Sequence, residues 1–191
     1  MFIQTEATPN PATLKFLPGK TVLPAGTLEY RDLAAAADSA LATRMFAIDG
    51  VAGVFLGQDF ISVSKADALA WQHLKPAVLG VIMEHYMSGA PVVAGLSTTV
   101  DQQALDAGKE DYSPEDQEIV DTIKELIETR VRPAVAQDGG DITFQGFRDG
   151  VVFLNMRGSC AGCPSSTATL KHGIQNLLKH FLPDVRAVEQ I

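Results

Sequence analysis

The middle of this chain loses its hydrophobic pattern, and that loss limits what the whole can fold into. From Ser88 to Ser113 the apolar periodicity of the flanks gives way to Gly89, Pro91, Gly95 and Ser97-Thr98-Thr99. A polar run from Asp101 to Asp111 follows. A stretch with so little to bury cannot pay for its own ordering, so the 191 residues are expected to form two small cores joined by a linker. A flexible tether of roughly 20 residues has an r.m.s. span of about 25 Å. The expected division is residues 1–88, a linker over 89–112, and residues 113–191, with both folded parts of the α+β class.

In the first part, Phe2-Ile3-Gln4-Thr5 reads as a strand and Thr8-Pro9-Asn10-Pro11 as a loop, because two prolines in so short a run bar a helix. Thr13 to Leu17 is a second strand, stopped by Pro18-Gly19. Ala34 to Phe46 is alanine-rich and expected to be one helix. Val51 to Leu56 and Phe60 to Val63 form two strands joined at Gly57-Gln58-Asp59. The stretch from Trp71 to Met87 then makes a helix with Leu74, Val78, Val81, Ile82 and His85 near one face.

The second part opens with Ser113-Pro114-Glu115-Asp116: a capping serine, proline at the first helical position and acids in the first turn. Ile119, Ile123, Leu126, Ile127 and Val131 keep helical spacing, so the helix is expected to run to about Pro133. After the turn Gln137 to Asp141, strands over Ile142–Phe147 and Val151–Met156 flank Arg148-Asp149-Gly150. Asp-Gly between two such runs predicts a hairpin. A helix from about Pro164 to Phe181 and a last strand over Val185–Val188 complete the order: helix, hairpin, Cys-x-x-Cys loop, helix, strand.

The net charge of −8, with no basic segment, argues against nucleic acid, which demands clustered lysine and arginine. The N-terminus has neither a basic and apolar signal peptide nor an arginine-rich transit peptide, and the longest apolar run, Ala77 to Met83, is too short to span a bilayer. A cytoplasmic location without membrane attachment is therefore expected.

The chain has two cysteines, and both lie in Gly158-Ser159-Cys160-Ala161-Gly162-Cys163-Pro164. The loop feeds a helix N-terminus, where unpaired N–H groups and the helix dipole favour thiolates and other anions. Three chemistries fit. A dithiol oxidoreductase would cycle the pair through a disulfide, although the motif here follows an antiparallel hairpin rather than a thioredoxin-type βαβ strand. Zinc needs four ligands in spaced pairs, and the nearby histidines, His172 and His180, are eight apart, so zinc would have to bridge two chains. An iron–sulfur cluster takes four thiolates, so two chains would have to meet around it. Shared ligands of that kind suit a carrier.

The residues also resemble a known family. Asp138-Gly139-Gly140-Asp141, the Phe147 to Gly150 turn, and Gly158-Ser159-Cys160-x-x-Cys163-Pro164-Ser165-Ser166 with Thr169-Leu170-Lys171 are similar to the C-terminal domain of NifU. Met1 to Thr5, Thr8 to Pro11, Leu14-Lys15-Phe16, Pro18-Gly19, Phe46 to Val51 and Asp59-Phe60-Ile61 resemble the N-terminal domain of Nfu-type proteins. The resemblance implies a non-enzymatic scaffold or carrier of a [4Fe-4S] cluster, built of iron and inorganic sulfide. The cluster would be held between two subunits by Cys160 and Cys163 of each and delivered to apo-proteins after receipt from upstream donors. The other cysteine-bearing domains of NifU are not matched, so assembly from iron and sulfide is not expected. A bacterial cytoplasmic protein, or the processed form of an organelle matrix protein, is.

Around the cysteines, Gly158 and Gly162 are expected either to let backbone approach a cluster or to form an ordinary tight loop, Pro164 to fix the helix start, and Arg157 and Lys171 to be solvated or to offset cluster charge. Asp138 and Asp141 read as turn residues and His172 as a half-exposed helix histidine. Trp71, Tyr86 and Met87 are expected to pack the first domain.

Overall fold

The computed structural model describes residues 2–94, 112–161 and 164–191. The chain divides into two compact units, residues 1–100 and 101–191. No helix among the described residues is long and apolar enough to cross a membrane.

The first unit is a five-stranded antiparallel sheet in the order β1-β2-β5-β4-β3. Its strands are β1 (Gln4–Ala7), β2 (Thr13–Leu17), β3 (Leu28–Tyr30), β4 (Val51–Leu56) and β5 (Ile61–Lys65). Phe16, Val54, Leu56, Ile61 and Val63 bury one face with residues of two helices, α1 (Ala40–Phe46) and α2 (Trp71–Ser88). β1 lies two residues later than expected because it pairs against β2, Gln4 opposite Leu17 and Ala7 opposite Leu14. The three-residue edge strand β3 carries too little alternation to be read locally.

The alanine-rich stretch is broken in two. A 3₁₀ turn over Ala35–Asp38 ends at Ser39, whose Oγ accepts the Ala42 N–H and so starts α1 as its N-cap. The same hydroxyl donates to the Val92 carbonyl at 2.7 Å, and Ala94 N–H donates to Asp38 O at 2.7 Å. Val92 to Ala94, expected in the linker, are therefore docked on the first unit, with Val93 in its core. At the other end of that stretch, the Tyr112 hydroxyl accepts the Phe147 N–H of the second unit. The remainder of the expected linker, residues 95–111, lies outside the described residues.

Of the packing residues expected in the first domain, Trp71 donates to Pro11 O at 3.1 Å and Tyr86 to Thr21 O at 3.4 Å, but Met87 points into solvent. His85 is fully buried, and neither ring nitrogen has a hydrogen-bond partner among the described residues. Burial, then the charge of Arg44, lowers its pKa from the ordinary 6.5. The unfolded chain therefore binds this proton at a higher pH than the folded one, and stability is full above pH 6.5 and falls as pH drops through the lowered folded value. Acid titration of thermal unfolding should show this loss in the wild type, and His85→Phe should flatten it without lowering stability at neutral pH. Equal acid sensitivity in both proteins would assign the effect elsewhere.

The second unit is two-layered. Helix α3 (Pro114–Leu126) starts at Ser113, whose Oγ accepts the Asp116 N–H. It does not stop at Pro133. A π turn over Ile127–Val131 leads into α4 (Arg132–Gln137), with Arg132 N–H bonded to Ile127 O. The wider turn accommodates a proline that lacks an N–H and would clash with the preceding turn of a regular α-helix. The sheet is β6 (Gly140–Arg148), β7 (Val151–Gly158) and β8 (Ala187–Gln190), in that order. β6 and β7 form the expected hairpin, with Asp149 at φ 52 and Gly150 at φ 79 as in a type I′ turn. A bulge at Gln145 keeps Ile142 and Phe147 on the same buried face, although they are an odd number of residues apart. Helix α5 (Pro164–Phe181) returns the chain so that β8 pairs parallel to β7. Val120, Ile123, Val131, Val152, Leu154, Met156, Ile174 and Leu178 meet between the layers.

Candidate metal centre

The loop between β7 and α5 is held to the turn before β6 by main-chain and side-chain bonds. Gly158 ends β7 at φ 66, the left-handed region where glycine is the unstrained choice. Ala161 N–H closes a turn onto Gly158 O, and Thr167 Oγ1, from the first turns of α5, donates to Cys160 O at 3.0 Å. Ser159 is buried; its N–H donates to Gly139 O and its hydroxyl makes a close hydrogen bond to Asp138 O. Asp138 and Gly139 thus present the two carbonyls that anchor the loop, while the turn itself is closed by Gly139 N–H on Ala136 O.

Cys160 is 6% exposed and belongs to the core of the second unit. Its sulfur rests on Gly140: a Cβ added there would lie 2.6 Å from Cys160 Sγ and 2.7 Å from Arg157 O. Burial pushes the thiol pKa up to about 11; Asp138 and Asp141 add to the rise, and the Ser159 hydroxyl acts against it. A thiol so placed stays protonated at neutral pH, the opposite of an activated redox cysteine. Gly162 and Cys163, and with them the second expected ligand, lie outside the described residues. The expected helix start at Pro164 coincides with the first residue of α5.

Two surroundings differ from expectation. The loop that carries Cys160 lies between β7 and α5 of a parallel β7-α5-β8 unit, so the βαβ context whose absence weighed against thioredoxin-like chemistry is in fact present; the long helix after the cysteines makes it. Asp141 is more than a turn residue, since its nearly buried carboxylate receives Arg132 Nε at 2.8 Å and Nη2 at 3.0 Å. Arg132 is not marked in sequence because Asp141, nine residues on, meets it only when the turn after α4 folds β6 back; the local signal is Glu128 one helical turn earlier. Lys171 is engaged with Glu189 at 2.9 Å, and Arg157 is half-buried opposite Asp141. His172 and His180 are exposed on α5. Among the described residues no group of three or more His, Cys, Asp or Glu side chains is placed to hold a metal ion.

Comparison with known proteins places this site in context. Residues 3–89 match the family model for the scaffold protein Nfu/NifU N terminal, and residues 123–189 match that for the NifU-like domain. The chain is 49% identical over 192 aligned residues to a human protein named NFU1 iron-sulfur cluster scaffold homolog, mitochondrial, covering 100% of this chain and 72% of that one. It is 47% identical to NifU-like protein 4, mitochondrial, of Arabidopsis thaliana, covering 100% of this chain and 66% of the relative. Among solved structures, a NifU-like protein from Saccharomyces cerevisiae aligns at 24% identity with a TM-score of 0.46, over 50% of this chain and 86% of that one.

Proposed function

Given that this chain belongs to the Nfu/NifU family of iron–sulfur cluster scaffold proteins, we propose that it carries a [4Fe-4S] cluster, shared between two copies of the chain, to apo-proteins. The observation that carries the reading is the half-set of sulfur ligands in a chain related along its whole length to named scaffolds. One chain offers Cys160 and Cys163, and a four-thiolate cluster needs two such pairs. The protein is then a carrier rather than an enzyme. Residues 113–191 form the cluster-binding domain, and residues 1–88 dock donors or recipients.

The cluster is cargo, and its transfer is ligand exchange without change of oxidation state. A recipient cysteine loses its proton and forms an iron–sulfur bond as the thiolate of Cys160 or Cys163 leaves and takes up a proton. Cluster binding and dimerisation are one equilibrium, so both weaken together on dilution. Relatives with mitochondrial names support work in an organelle matrix, and the same chemistry suits a bacterial cytoplasm; both compartments keep thiols reduced.

Anaerobic reconstitution with ferrous iron and sulfide tests the reading. About four irons and four sulfides per dimer are expected, with a matching Mössbauer spectrum and a doubling of mass in sedimentation. A colourless monomer with no bound iron would end the proposal.

A further inference from the structure

Arg132 opens α4 directly after the π turn, and its donors are spent on two carboxylates. Nε and Nη2 form the paired fork to Asp141, while Nη1 donates to Glu128 Oε1 at 2.9 Å and Oε2 at 2.8 Å. Asp141 follows Gly140, on which the sulfur of Cys160 rests. In the hairpin Gly140 pairs with Gly158 and Asp141 with Arg157, so Asp141 borders the point where the cysteine loop leaves β7. A helix and the end of a sheet are thereby joined through one side chain, next to the glycine on which the ligand loop rests.

Stability alone does not call for an ion pair at this place. Desolvation of a largely buried pair roughly cancels its attraction, and apolar side chains of similar volume serve as well. What a planar fork adds is direction. We propose that Arg132 is a positioning residue for cluster exchange, fixing through Asp141 the seat on Gly140 and hence the placement of the Cys160 sulfur. The inference rests on the reading of Cys160 as a cluster ligand.

Two variants separate positioning from stability. Arg132→Lys keeps the charge and loses the fork; the double variant Arg132→Met, Asp141→Leu removes both charges at similar volume. Each is made with and without Cys163→Ser, which leaves Cys160 as the only thiol. The readouts are thermal unfolding, the rate of Cys160 alkylation by iodoacetamide in the apo-protein, and the visible circular dichroism of the reconstituted dimer. The double variant should melt near the wild-type temperature, yet its Cys160 should be alkylated about tenfold faster, through more frequent local opening. The circular dichroism of its cluster should change, and Arg132→Lys should move the same way. A core variant of the same unit, Ile123→Val, supplies the control for general loosening. Alkylation rates in both Arg132 variants that match the wild type, or that merely follow melting temperature as in Ile123→Val, would overturn the proposal. Failure of the scaffold reading looks different: the wild type takes up no cluster while the alkylation differences persist.

Discussion

Replacing Cys160 and Cys163 by serine is expected to leave a folded, colourless monomer under conditions in which the wild-type chain binds iron and sulfide and dimerises. Thiolates are the ligands such a cluster uses, and a serine hydroxyl stays protonated at neutral pH. Symmetry sharpens the expectation. A ligand lost from one chain is lost from both, so either single substitution removes two of the four sulfurs and should abolish stable cluster binding nearly as completely as the double. The fold should survive. The serine hydroxyl at position 160 would be buried, a penalty of about 1–3 kcal/mol if it found no partner, against a total of about 5–15 kcal/mol for a domain. Iron and sulfide per chain, with sedimentation mass, measure the result. Retention of a full cluster by the double variant would remove both residues from the ligand set.

The second large effect is expected at Gly140. An added Cβ would lie 2.6 Å from Cys160 Sγ, 2.7 Å from Arg157 O and 3.2 Å from Cys160 N. Two of these neighbours are backbone atoms across the hairpin, so no rotamer change relieves the clash and the strand end must move. Overpacking of this kind costs about 1–3 kcal/mol. At roughly 4–8 °C per kcal/mol for a domain of 60–100 residues, Gly140→Ala should lower the melting temperature of the second unit by about 5–20 °C. Because the displaced atom is the proposed ligand, cluster uptake should fall as well. Gly173, in α5, is the contrasting site: an added Cβ meets nothing there, and alanine should stabilise the helix by about 0.5–1 kcal/mol. A Gly140→Ala protein that melts with the wild type and loads normally would show that the seat is dispensable.

These two expectations draw on different kinds of information. Cys160 and Cys163 stand out in the sequence as a candidate ligand pair because spacing, composition and the following helix are all local. Gly140 was legible only as part of a turn, since its role depends on a sulfur twenty residues away. Ser113 as a helix cap and Asp149-Gly150 as a hairpin turn were equally readable, each a short-range bargain between one side chain and its own backbone. The break at Ser39 was not, because the hydroxyl that starts α1 also bonds the Val92 carbonyl, 53 residues on.

By itself, then, the sequence determined the α+β class, the paired cysteines ahead of a helix, and the caps and turns that bound most elements. All of these follow from dihedral preference and periodicity over a few residues. The tertiary structure decided the passage of the helix through Pro133, the parallel pairing of β8 with β7, the Arg132–Asp141 tie and the burial of Cys160. Those features depend on which groups of different elements meet for the same space and the same hydrogen bonds, and that is settled only once the layers have packed.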